Sequence, residues 1–261
     1  MALTNKSIAS TYGDILQVDN SGSGRTANGT AVKDGLGQST ALTLGQNKAK
    51  ITPSSNSTDT LVVENAAGAD LLVVDSTNSL IKAGTTNTYV NTQIKEFGVF
   101  DFSPTADIHY PMVAMTGLDS ASNTDWQAVT GFGSGTDPAG TLTVSSGAEN
   151  MVPVLWYVPV AITIDEVRVI ASTDASDTLN FHLFSYTMAT GTSSGAGDLS
   201  SGALLAHNSD VTNAGNEQAY LSTWTVDSAN VDANKAILCF FRSDSISSDF
   251  SVVVTVKYFL R

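Results

Sequence analysis

Apolar and polar residues alternate over short spans in the first third of the chain, and the same short patterns return. Leu16-Gln17-Val18-Asp19-Asn20 is echoed by Leu61-Val62-Val63-Glu64-Asn65, and Leu42-Thr43-Leu44, followed by Ile51, by Leu72-Val73-Val74, followed by Ile81. Period-two alternation of this kind predicts half-buried strands. Asn65-Ala66-Ala67-Gly68 lies between two such runs and reads as a hairpin connection; Asp75-Ser76-Thr77-Asn78 is a second turn before Leu80-Ile81. The echoes are offset by 45 and 30 residues, so they read as a duplicated module with altered loops rather than a strict tandem array. Two or three short strands cannot bury an apolar face alone. Their expected cover is further copies of the same chain. The residues expected to serve anchoring and oligomerisation are Ile8, Tyr12, Ile15, Leu16, Val18 and Leu42 early on, then Leu44, Leu61, Val63, Leu72, Val74 and Ile81.

Residues 91–106 read as a linker, a short helical turn followed by a strand, with Phe97, Phe100 and Phe102 expected to plug the junction. From 107 to 261 the pattern is that of one domain of ordinary size. In its last segment Phe250, Val252, Val254, Val256 and Tyr258 share one face, while Val253 and Phe259 make the other face partly apolar. A two-faced strand suits a central position, with one side on the core and the other against a second sheet or subunit. Val160, Ile162 and Ile164 alternate until the register slips at Asp165-Glu166, which predicts a bulge. Thr178–Thr187 and Ala236–Arg242 are further strands, separated by long loops rich in Gly, Ser and Asn. The expected fold is all-β: an intertwined fibrous β stalk over 1–90, the linker over 91–106, and a jelly-roll β-sandwich head over 107–261.

Composition supports the strand reading and narrows function. Only 14% of residues are charged against 42% apolar, and Lys and Glu, the builders of exposed helix faces, are scarce. The net charge of −13 is uneven: seven Lys/Arg against nine Asp/Glu through Thr105, then five against sixteen. An acidic C-terminal half repels phosphates, so no nucleic-acid partner is expected, and solubility explains the charge better than divalent cations do. The single Cys239 lies in an apolar strand run and reads as a buried hydrophobe. No apolar h-region follows Met1, and the stretch from Met151 to Ile164 is too short to span a bilayer and is broken by Pro153 and Pro159. The expectation is synthesis in a cytoplasm with no membrane insertion.

Chemistry is sparse. His109, His182 and His207 lack metal-ligand spacing, and Gly131-Phe132-Gly133-Ser134-Gly135 lacks the Lys-Ser/Thr and the helix of a phosphate loop, so it reads as a flexible loop. Asp174 with Asp177 and Asp244 with Asp249 are carboxylate pairs by proximity alone, without an aromatic cleft around them. No catalytic residue, metal or cofactor is expected, and the chain is not read as an enzyme. Trp156 reads as core. Trp126 and Trp224, with Tyr220, are the candidate ligand-binding aromatics because polar loop residues flank them, although packing in a core or interface explains such rings at least as well.

The run Ser7-Ile8-Ala9-Ser10-Thr11-Tyr12-Gly13-Asp14-Ile15-Leu16-Gln17-Val18-Asp19-Asn20, with Val32-Lys33-Asp34-Gly35-Leu36-Gly37, resembles the opening of fibre proteins of marine tailed bacteriophages. Leu71–Asn78 is similar to phage-fibre shaft repeats, and the segments from Ile162–Arg168 to Val256–Arg261 resemble the jelly-roll heads of trimeric fibres and spikes. The resemblance implies a homotrimer on the virion surface, made in the host cytoplasm. Its N-terminal segment would bind other virion proteins of the tail or capsid, and its head would face outward toward a host-surface glycan or protein. It carries no catalytic residue across. Two alternatives stay open: a capsid-attached head fibre or decoration protein with weak or no receptor binding, and a carbohydrate-binding module.

Overall fold

A computed structural model describes residues 16–18, 26–84, 88–90, 92–114, 131–143, 151–191, 195–213, 218–244 and 249–261. The described residues are almost wholly strands and turns, with a short 3-10 turn at Val152–Val154. The chain divides into two compact units, 1–90 and 91–261.

The first unit holds two four-stranded antiparallel sheets, each a meander with strands in chain order. One is built from β1 (Gln17–Val18), β2 (Thr30–Lys33), β3 (Ser39–Leu44) and β4 (Ala49–Ile51). The other is built from β5 (Leu61–Glu64), β6 (Asp70–Asp75), β7 (Leu80–Ala83) and β8 (Thr88–Tyr89). The same five-residue turn joins β2 to β3 and β5 to β6. Asp34 Oδ1 accepts the amides of Leu36 and Gln38 at 3.0 and 2.8 Å, and Asn65 Oδ1 accepts those of Ala67 and Ala69 at 2.9 and 3.0 Å. Each turn closes through a glycine in the left-handed region, Gly37 at φ 83 and Gly68 at φ 77, where side chains are costly.

These turns fix the true repeat. Strand starts at 30, 39 and 49 recur at 61, 70 and 80, a constant offset of 31 residues. The pairs Leu42–Ile51, Thr43–Lys50 and Leu44–Ala49 recur as Val73–Lys82, Val74–Ile81 and Asp75–Leu80. The strand-turn pattern repeats, but both sequence echoes misplace its equivalences. Leu16–Asn20 is not equivalent to Leu61–Asn65, because β5 corresponds to β2; Leu42 corresponds to Val73, not Leu72. Matching apolar residues by type found similar strands. The turn, which sets register, identifies equivalent ones.

The second unit contains β9 (Thr92–Phe102), β10 (Tyr110–Pro111), β11 (Trp156–Val158), β12 (Ile162–Thr173), β13 (Asp177–Met188) and β14 (Leu199–Asn213). It continues with β15 (Tyr220–Thr223), β16 (Thr225–Val226), β17 (Asn230–Val231), β18 (Lys235–Ser243) and β19 (Phe250–Leu260). One antiparallel sheet runs β15-β12-β19-β9, with β17 also on β12; the other runs β10-β18-β13-β14-β16, with β11 also on β18. Numbering β9, β10, β12, β13, β14, β15, β18 and β19 from one to eight gives orders 6-3-8-1 and 2-7-4-5. Val167, Val169, Val252, Val254 and Val256 from the first sheet meet Leu179, Phe181, Leu183, Cys239 and Phe241 from the second, all at most 1% exposed. Two sheets packed face to face over such a core form a β-sandwich. β19 is central, as its two apolar faces predict, and the register slips between Ile164 and Glu166, as the sequence predicts.

Residues 91–106 are not a linker. β9 pairs with β19 from Thr92 to Phe102 and belongs to the sandwich. Its phenylalanines do not form a plug: alternation turns Phe100 outward, and a bulge between Val99 and Phe102 returns Phe102 to the core face that Phe97 occupies. Phe97 is 1% exposed in the core, Phe102 packs edge-on to Tyr110 and Phe241, and Phe100 is 75% exposed.

Candidate interaction surfaces

The second small sheet gathers five of the expected oligomerisation residues. Register places Leu61, Val74 and Ile81 in one row and Val63, Leu72 and Ala83 in the next, on one face of three strands. None of these side chains is buried, and Val63 and Ile81 are 44% and 49% exposed. In the first sheet Leu42 pairs with Ile51 and Leu44 with Ala49, so these two form a separate face. Val18 pairs with Val32, and Leu16, just outside β1, is 66% exposed. Ile8, Tyr12 and Ile15 lie outside the described residues, as does Trp126.

Trp224 departs from its expected role. The chain passes from β15 in one sheet to β16 in the other at this residue, and the ring turns inward. It is 5% exposed and stacks on Phe181 with centroids 5.6 Å apart and planes at 26°. A ring so covered has no face for a sugar; the polar neighbours Thr223 and Thr225 belong to strands that switch sheets. Tyr220 opens β15, half-buried, with its hydroxyl donating to Gln218 Oε1 at 3.4 Å. Trp224 and Tyr220 therefore do not make an exposed aromatic platform.

Two histidines distant in sequence meet in the interior. His109 and His182 are 0% and 3% exposed, with ring centroids 5.0 Å apart. His109 Nε2 lies 3.0 Å from the Gly135 carbonyl and so must carry the proton it donates. That leaves Nδ1 bare, and neither ring's Nδ1 has a partner among the described residues. Arg242 Nη1 donates to the same carbonyl at 3.1 Å, and Tyr186 donates to the Ala139 carbonyl at 2.9 Å. The glycine-rich run 131–135, read from sequence as a flexible loop, is thus tied through the Gly135 carbonyl to β18, and Ala139 beyond it to β13. Burial pushes His109 down to about 3, helped by the nearby His182 and Arg242. It pushes His182 down to about 4 against the pull of Asp137, 3.6 Å away.

The carboxylate pairs regroup. Asp177, 7% exposed, accepts Ser243 Oγ at 2.6 Å, and Asp244 accepts Arg242 Nη2 at 3.0 Å, both structural uses. Asp174 accepts the Asp249 amide at 3.1 Å, and with Asp101, Ser172, Thr173 and Ser251 they line a groove of about 280 Å³. Among the described residues no group of three or more His, Cys, Asp or Glu is arranged to hold a metal ion.

The outer face of the sheet β15-β12-β19-β9 was only half legible in sequence. Leu221 lies opposite Ile170, Ile170 opposite Val253, and Val253 opposite Gly98, with Phe100 two residues further along β9. Leu221, Ile170, Val253 and Phe100 are 64%, 49%, 47% and 75% exposed. The apolar outer side of β19 signalled this face; its partners on β12 and β15 emerge only once the pairing is known. No protein-family model and no curated protein matches the chain.

Proposed function

We propose that the chain is a non-catalytic structural fibre of a tailed phage, a homotrimer with an N-terminal β stalk anchored to the particle and an outward head. The observation that carries this reading is the apolar face of Leu61, Val63, Leu72, Val74 and Ile81 on a sheet too small to be stable alone. Closed symmetry lets identical chains cover such faces for one another. The repeated module at a 31-residue offset supports a stalk, and strand orders 6-3-8-1 and 2-7-4-5 support a jelly-roll head. The structural uses of Asp177, Asp244 and the His109–His182 pair support a role without catalysis. Burial of Trp224 weighs against the carbohydrate-binding module, and adhesion to a host surface is assigned to the head as a whole rather than to that ring. A capsid-attached fibre stays open alongside a tail fibre.

An antibody raised against the full chain tests the assignment on the phage that encodes it. Decoration of projecting fibres in negative stain is the expected result, and its position separates tail from capsid. Particles that carry no chain by immunoblot overturn the reading.

A further inference from the structure

The outer face of β15-β12-β19-β9 sets an apolar row beside a cluster of carboxylates. Leu221, Ile170 and Val253 share one register row across three neighbouring strands, a span of about 10 Å, and Ile94 adds exposed apolar surface on β9. Single exposed apolar side chains need no explanation, but a registered row does. Two residues along the strands, about 7 Å from the row, the opposed pair Ser172 and Ser251 enters the groove that Asp101, Asp174 and Asp249 line. Neutral donors hold this groove together: Asp249 accepts the Ser103 hydroxyl, Asp174 accepts the Asp249 amide, and Ser251 Oγ accepts the Asp101 amide. Among the described residues no Lys or Arg pairs with any of the three carboxylates.

On the other side of the row stand Glu96, Asp165 and Glu166 with Arg168 and Lys257. Both cations are already paired, Arg168 with Glu166 and Lys257 with Asp165. Three carboxylates on each side make six around the row, against two cations.

That imbalance selects the occupant. A second copy would bring its own excess, because residues 91–261 hold six Lys/Arg against eighteen Asp/Glu. Anionic glycans and lipid headgroups meet the same repulsion. A small cation would answer the carboxylates and leave the row in water. Cationic and apolar side chains on one partner answer both, by attraction at long range and burial at contact.

We propose that this face docks a basic, apolar segment of another protein, whose apolar side chains cover Leu221, Ile170 and Val253 while a Lys or Arg enters the Asp101–Asp174–Asp249 groove. The inference goes beyond the fibre reading, since it concerns one face of 91–261 and an unlike partner.

An amphipathic leucine–lysine peptide is the probe, with a leucine–glutamate peptide of the same pattern and oligolysine as controls. Native Cys239 is fully buried, so Val253→Cys in the full chain places one accessible thiol on the row. Ala203→Cys, at an exposed position of β14 in the other sheet, reports away from it. Saturating leucine–lysine peptide should slow maleimide labelling of Val253→Cys about tenfold and leave Ala203→Cys unchanged, and neither control peptide should protect. Adding Asp101→Asn and Asp174→Asn, which keep acceptor oxygens, should raise the half-protecting peptide concentration about tenfold at low salt. An unchanged concentration in that variant overturns the proposal, as does protection by oligolysine or protection of both thiols, which mark unspecific charge attraction. Labelling of Val253→Cys that is fast with peptide present overturns it too. Labelling that is slow without peptide, in protein that sediments as an oligomer, overturns it while leaving the homo-oligomeric reading intact.

Discussion

Single residues in the sandwich behave as packing and latch elements rather than as ligand groups. Trp224 lies between Phe181 and the crossing of two strands, and its Nε1 has no partner among the described residues. Trp224→Ala should therefore cost about 3–5 kcal/mol in chemical denaturation, whereas Trp224→Phe, which keeps most of the ring, should cost about 1 kcal/mol. Loss of sugar binding without loss of stability would contradict this placement. The histidine pair sets a pH dependence. His109 and His182 lie at about 3 and about 4 when folded, against 6.5 ordinarily, so below pH 6.5 the unfolded chain binds protons that the folded chain refuses. Stability from this pair is complete above 6.5 and declines as the pH falls toward 4. Arg242 opposes protonation of both rings, and His207 also opposes it at His182, while Asp137 and Asp227 favour it there. Thermal melts should show the midpoint falling across this window, and His109→Phe with His182→Phe should flatten the slope; an unchanged slope would contradict the assignment. The cluster was invisible in sequence because 72 residues separate its two members.

At the scale of elements, the legible features were those written locally. The bulge after Ile164, the hairpin at Asn65–Gly68 and the central two-faced β19 each follow from alternation or turn chemistry over a few residues. The 31-residue repeat and the incorporation of β9 depend on which strands pair, and residue type alone does not state that. The phenylalanines of β9 show the difference: the pleat turns Phe100 away from Phe97, and the bulge near Asp101, which has a left-handed φ of 52, returns Phe102 to the core face. The apolar face of the second small sheet yields its own prediction. Ile81 is 49% exposed in the single chain, so Ile81→Lys should change a monomer's stability by less than about 0.5 kcal/mol. If copies cover it, each loses about 2 kcal/mol of apolar burial, and the dissociation constant should rise tenfold or more. Sedimentation across a dilution series distinguishes the two.

Across the whole molecule, two small sheets with apolar faces and an acidic sandwich with one exposed apolar row are present in one chain. Composition made the all-β class and the charge asymmetry legible, because neither depends on how strands pair. The candidate surfaces were legible where one strand carries the pattern, as in β5 and β6, and hidden where four strands share it, as in the row from Leu221 to Phe100. The exposed apolar face of the second small sheet carries the proposal made above, several copies of the chain in one assembly. Sedimentation equilibrium of the full chain tests that proposal most directly. The account predicts three times the 27.2 kDa chain mass, held to low micromolar concentration or below. A single species at one chain mass across the concentration range would contradict it.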